Sequence, residues 1–107
     1  MTIRNIFAGI PADLPNELMQ SLHEGKGVRI ERIVSSGHAS PEDFWYDQDE
    51  HEWVLLLQGA AGLAFEGEDK VHELWSGDCM LIPAHTRHRV AWTDADAVTI
   101  WLAIFHG

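Results

Sequence analysis

Residues 77–92 read Gly77-Asp78-Cys79-Met80-Leu81-Ile82-Pro83-Ala84-His85-Thr86-Arg87-His88-Arg89-Val90-Ala91-Trp92. The turn residues Pro83-Ala84-His85 separate two runs that are rich in strand-forming side chains. Alternation along the second run places His88 on the face opposite Arg87 and Arg89. We therefore expect His88 to point into the interior of a β structure.

The rest of the chain from Val28 onward has the same character. Short runs rich in Val, Ile, Trp and Phe are separated by turn residues at intervals of about ten residues, a pattern typical of sandwiches and barrels. This pattern predicts an all-β fold, with strands near residues 28–35, 44–48, 52–58, 61–66, 70–75, 79–83, 87–92 and 97–105. Cys79 lies in an apolar run, which predicts a buried thiol that has no disulfide partner.

The N-terminal residues differ from this pattern. Leu14, Leu18 and Leu22 recur every four positions, Pro15 suits a first helical turn, and Gly25-Lys26-Gly27 would end a helix. These features predict one short helix over 11–24. We expect a single domain over residues 1–107, with the barrel over 28–105 and an N-terminal strand and the helix over 1–27.

Charge and hydrophobicity limit the possible partners. Seven Lys and Arg against seventeen Asp and Glu give a formal net charge of −10, which would repel nucleic acid and anionic lipid. The first residues lack the features of a signal peptide, and the longest apolar run, 97–105, is about half of a membrane span. We therefore expect a soluble cytoplasmic protein that binds neither nucleic acid nor membranes.

Two glycine-bounded segments carry a family resemblance, Gly37–Gly59 and 77–92. In the second, Pro83 lies six residues after Gly77 and His88 five after Pro83; in the first, Gly59 lies seven residues after Glu52. This spacing resembles the two motifs of the cupins, and the resemblance covers residues 28–105. It implies a small antiparallel barrel of the double-stranded β-helix or jelly-roll type.

The first motif is degenerate. Cupins have two histidines where this chain has Tyr46 and Gln48, which lie six and four residues before Glu52. An amide oxygen is a poorer ligand than imidazole for a first-row transition metal. A tyrosine would first have to lose a proton whose ordinary pKa is about 10, so Tyr46 suits a pocket wall or a hydrogen-bond donor.

The resemblance implies a metal site at the matching positions Gln48, Glu52 and His88. Three protein ligands and a water would make an open site, and these donors suit Zn, Mn, Fe or Ni. His51 and His85 are candidate substitute ligands, although regular alternation would point His51 away from Glu52. The alternatives are a hydrogen-bonded core histidine at 88, an arginine-paired carboxylate at the barrel rim for Glu52, and a solvated turn for Gln48.

Tyr46, Arg32 and His85 are the candidate residues of a substrate pocket. Arg32 interrupts an apolar strand and could fix a ligand carboxylate, or it could pair with one of the many acidic side chains. His85 lies in a loop at the expected barrel mouth, where it could contact substrate or only solvent.

These residues leave several functions open. The cupins include dioxygenases, isomerases, epimerases and decarboxylases, so the resemblance implies a metal-dependent site for a small organic molecule without fixing a reaction. A metal-free cupin that binds or senses a small ligand is the main alternative. A homodimer is compatible with both functions, because small cupins are commonly dimers and a dimer interface could cover some of the five Trp side chains.

Overall fold

A computed structural model describes all residues, 1–107, and consists of eight antiparallel strands. The strands are β1 (Leu18–Gly25), β2 (Val28–Ser35), β3 (His51–Gln58), β4 (Ala60–Phe65), β5 (His72–Trp75), β6 (Cys79–Ile82), β7 (His88–Thr93) and β8 (Thr99–His106). Most of these bounds lie within two residues of those that the sequence predicts. The all-β fold is therefore confirmed.

The strands form two sheets. One has five strands in the order β1-β2-β8-β3-β6, and the other has three in the order β5-β4-β7. Alternation along the strands builds the interior: in β3, for example, Glu52, Val54 and Leu56 are buried while the residues between them are half-buried. The core cluster consists of Val54, Leu56, Ala61, Leu63, Phe65, Leu74, Ile82 and Trp101.

The predicted N-terminal helix is wrong. The chain forms strand β1 instead, which pairs with β2 from Leu18 opposite Val34 to Gly25 opposite Val28. Leu18 and Leu22 are four residues apart, and this spacing equals two full strand repeats as well as about one helical turn. Pairing with β2 selects the strand over the helix. The structure contains no helix that could span a membrane.

Two smaller expectations are also wrong. Residues 44–48 form no strand, and only Tyr46 makes an isolated bridge, to His88. Cys79 is exposed because it begins β6, which lies at the edge of the five-stranded sheet. An apolar run predicts burial only where both faces of its strand are covered. The single-domain expectation stays a prediction.

Candidate functional site

A cavity of about 220 Å³ lies inside the barrel, and every strand except β5 contributes to its wall. Nine of its fifteen lining residues are hydrophobic. The lining residues are Glu17, Met19, Arg29, Glu31, Ile33, Tyr46, Gln48, Glu52, Val54, Leu63, Ile82, His88, Val90, Trp101 and Phe105. A mostly apolar cavity with a few converging polar groups is the usual form of a small-molecule site.

Glu52 and His88 face each other across this cavity. Glu52 lies on β3 of the five-stranded sheet, and His88 begins β7 of the three-stranded sheet. Their residues are only 8% and 4% exposed, and 3.5 Å separates His88 Nε2 from Glu52 Oε1. Both side chains therefore point inward, as the sequence predicts for His88. A buried carboxylate and imidazole this close form the polar centre of the cavity.

The hydrogen bonding of His88 fixes the orientation of its ring. His88 Nδ1 lies 2.8 Å from the carbonyl oxygen of Thr86, and because a carbonyl only accepts, Nδ1 must donate. A neutral His88 would then present a lone pair on Nε2 to the lone pairs of the Glu52 carboxylate. Either a proton on Nε2 or a cation between the two groups relieves this repulsion.

The pKa of His88 favours the state with a proton on Nε2. Burial would lower it, but the interaction of the ring with the Glu52 carboxylate and the Thr86 carbonyl outweighs burial and raises the pKa above its ordinary 6.5. A raised pKa in the folded state means that protonated His88 stabilises the fold. That contribution is complete below pH 6.5 and is lost as the pH rises through the pKa of the folded protein.

We expect an NMR titration of the chelator-treated protein to give a His88 pKa above 6.5. The variant Glu52→Gln should lower this pKa, because the attracting charge is gone while the burial remains. His85→Ala is the control, since His85 does not line the cavity. A His88 pKa that does not respond to Glu52→Gln would contradict the pairing.

Tyr46 lies against His88. Their backbones form a two-way bridge, from Tyr46 N to His88 O at 2.7 Å and from His88 N to Tyr46 O at 3.1 Å. Their rings stack at 5.5 Å between centroids. Burial raises the pKa of Tyr46, as do the charges of Glu17 and Glu52. Tyr46 therefore keeps its phenolic proton, and it lines the cavity with a hydroxyl that can donate a hydrogen bond.

Gln48 also lines the cavity. Its backbone carbonyl accepts a hydrogen bond from the backbone N–H of His85 at 2.8 Å, which ties the segment before β3 to the loop before β7. The structure therefore brings together four of the predicted site residues: Tyr46, Gln48, Glu52 and His88.

Three other predicted residues do not reach the cavity. His51 occupies the opposite face of β3 from Glu52, and its Nδ1 accepts a hydrogen bond from the backbone N–H of Ala84 at 2.9 Å. Arg32 lies on the outer face of β2, where it donates to the side chain of Gln20 and to the carbonyl oxygens of Ile6 and Ala8.

His85 is exposed and lies in the loop before β7. Its Nδ1 is 3.0 Å from a carboxylate oxygen of Asp47, and its φ of 61° is the one positive value at a non-glycine residue. The loop thus directs this histidine toward the acidic segment of residues 47–50, and it does not line the cavity.

Three charged residues of the cavity wall were not anticipated: Glu17, Arg29 and Glu31. Arg29 Nε lies 3.0 Å from Glu31 Oε2, and Arg29 Nη1 lies 2.9 Å from Glu50 Oε1. Period-two alternation in β2 puts Arg29, Glu31 and Ile33 on one face. This alternation is visible in the sequence. It does not identify the face that lines the cavity, because the opposite face of β2 also carries both apolar and charged residues.

The cavity offers few donors for a metal ion. No group of three or more His, Cys, Asp or Glu side chains is arranged to hold an ion. Glu52 and His88 are two strong ligands, the tautomer of His88 frees Nε2 for coordination, and Gln48, whose amide oxygen is a weaker ligand, lines the same cavity. This set fits an open site with few protein ligands and does not fit a closed structural site.

The two-sheet barrel and its motif residues define the class of protein. Residues 30–105 match the family model described as the cupin domain, and the chain belongs to the cupin family. The cupins as a family often bind transition metals and small ligands. A search of curated proteins found no match to this chain.

Solved structures agree with this assignment. A protein from Ralstonia eutropha JMP134, solved as "a putative mannose-6-phosphate isomerase", is 46% identical, with a TM-score of 0.94 over 99% of this chain and 98% of that one. A cupin superfamily protein from Desulfitobacterium hafniense DCB-2 is 22% identical, with a TM-score of 0.73 over 91% and 83%. An RmlC-like cupin from Desulfovibrio desulfuricans is 18% identical, with a TM-score of 0.74 over 98% and 96%. These last two likenesses concern the fold alone.

Proposed function

We propose that this protein binds a small organic molecule in the barrel cavity, and that Gln48, Glu52 and His88 hold a divalent transition metal ion beside it. The supporting observation is the buried pair of His88 Nε2 and Glu52 Oε1, 3.5 Å apart, which needs a proton or a cation between its lone pairs. Zn, Mn, Fe and Ni all suit a nitrogen and oxygen donor set.

The chain's own side chains suggest how a ligand would be held. The apolar wall would exclude water, and the Tyr46 phenol would donate a hydrogen bond to a ligand oxygen. A bound metal ion would occupy His88 Nε2, so His88 could take or return a proton at that nitrogen only in the metal-free protein. When bound, a divalent ion would supply a Lewis acid that polarises a ligand carbonyl. Polarisation of a ligand carbonyl is compatible with an isomerase, the activity in the description of the Ralstonia protein.

Elemental analysis of protein purified without chelators tests the proposal. We expect about one transition metal ion per chain, from the single open site. His88→Ala should lose this metal, because it removes the one imidazole in the cavity. His85→Ala is the matched control, since it removes a histidine three residues away that is exposed and outside the cavity. Wild-type metal content in His88→Ala would refute the assignment.

A metal-free ligand-binding cupin is the second candidate. Tyr46, protonated and stacked on His88, occupies the position of a cupin histidine and leaves two ionisable ligands where the family motif has more. In this case a proton on His88 satisfies the pair. Metal-free wild-type protein in the elemental analysis would favour this candidate. The homodimer expected from the sequence stays a prediction.

A further inference from the structure

The charged side chains of the cavity wall are mostly acidic. Glu17, Glu31 and Glu52 contribute three carboxylates and Arg29 the one guanidinium, which gives a formal charge of −2 with His88 neutral. The whole chain carries −10, so the surrounding surface adds to this negative potential rather than opposing it.

The single arginine of the wall is already paired. Its guanidinium contacts Glu31 and Glu50 at 3.0 and 2.9 Å and lies 4.2 Å from the ring centroid of Phe105. A phosphate or carboxylate group of a ligand would have to displace these two carboxylates to form a bidentate contact with the Arg29 guanidinium. The cavity therefore offers no free cationic side chain to an anionic ligand.

A hydrogen bond holds one acidic group at the cavity wall. Glu17 accepts it from Ser35 Oγ. A divalent ion at Glu52 and His88 would bring the formal charge of the lining from −2 to zero. It would leave the Glu17 and Glu31 carboxylates on the part of the wall built by β2 and the residues before β1.

We propose that the ligand of this cavity is a small, largely apolar organic molecule that carries no anionic group, so that phosphate esters such as mannose 6-phosphate are excluded. This inference rests on the proposed small-molecule function. It narrows that function to neutral or cationic compounds with a hydroxyl, carbonyl or amino group for Tyr46 and Glu52.

Three probes of one shape test the charge preference: cyclohexanol, cyclohexylammonium and cyclohexanecarboxylate, with mannose 6-phosphate as a fourth. Binding is followed by the NMR shifts of Tyr46 and His88 in the protein as purified. We expect the alcohol and the ammonium compound to bind at least about tenfold more tightly than the carboxylate, and mannose 6-phosphate to cause no shift. Added salt should reduce the difference.

The variant Glu31→Gln tests whether the preference against anionic ligands comes from the carboxylates of the cavity wall. It removes one carboxylate and one partner of Arg29, and we expect the discrimination against the carboxylate probe to fall at least about threefold. Glu73→Gln is the control, because it removes an exposed carboxylate on β5 that does not line the cavity.

The outcomes separate this inference from the function it rests on. Binding of the carboxylate or of mannose 6-phosphate as tightly as the alcohol would overturn the inference and leave a small-molecule site in place. A Glu31→Gln variant with unchanged discrimination would also overturn it. Absence of binding by all four probes would overturn the proposed function, and the inference with it.

Discussion

Replacing Gly59 with alanine should destabilise the protein by about 3 kcal/mol or more. Gly59 joins β3 to β4 at a φ of 92°, a conformation that costs a non-glycine residue about 1–3 kcal/mol. A Cβ there would also lie 2.8 Å from the backbone Cα of Thr99 and would overlap its Oγ1. Overpacking of this kind costs about 1–3 kcal/mol more.

Thr99 has no room to move away. It is fully buried, and its hydroxyl lies 3.4 Å from Ala60 N and 3.2 Å from Ala60 O. Gly67→Ala is the matched control, since Gly67 has a similar φ of 87° and nothing within 4 Å of its Cβ position. Denaturant unfolding should show a larger loss for Gly59→Ala than for Gly67→Ala. Equal losses would mean that contact with Thr99 contributes nothing.

The same glycine explains why the sequence predicts the barrel so well. Gly59 and Gly77 both require a positive φ, at 92° and 93°, and both are fixed points of the motif spacing. Between such points, strand alternation decides which side chains point inward. Glu52 and His88 could therefore be assigned to the interior from sequence, because each lies in a short strand that pairs regularly over its first residues.

Alternation was less informative in β2. Its inner face carries Arg29, Glu31 and Ile33, while the outer face carries Arg32 between apolar residues. The outer face is also covered, because backbone carbonyls of Ile6 and Ala8 accept hydrogen bonds from Arg32. With both faces partly buried, neither shows the polar character of an exposed surface, and the sequence could not assign Arg29 to the cavity.

The prediction of an N-terminal helix was wrong for a different reason. A spacing of four between leucines satisfies both periods, so only long-range pairing could decide, and the partner of β1 is β2, across the turn at Lys26-Gly27. The opposed lone pairs of Glu52 and His88 could not be predicted from the sequence either, because they depend on a 3.5 Å distance between atoms of two different sheets.

A saturating divalent metal should raise the thermal midpoint of this protein by on the order of 10 °C. A ligand present at one hundred times its Kd stabilises the folded state by about 2.7 kcal/mol. For a domain of about this size, each kcal/mol shifts Tm by roughly 4–8 °C. Glu52→Gln should abolish most of this shift, because an amide replaces the one carboxylate beside His88 Nε2.

Glu73→Gln provides the control for the charge change, because Glu73 is exposed and lies outside the cavity. It alters the net charge by the same amount as Glu52→Gln and leaves the candidate ligands in place. Any general effect of metal on an acidic surface should therefore appear equally in Glu73→Gln and in Glu52→Gln.

Calorimetry of the chelator-treated protein, with and without Zn²⁺, compares wild type, Glu52→Gln and Glu73→Gln directly. We predict a rise in Tm of on the order of 10 °C for wild type and Glu73→Gln, and little or none for Glu52→Gln. No rise in the wild-type protein, or an equal rise in all three, would contradict a metal site at Glu52 and His88.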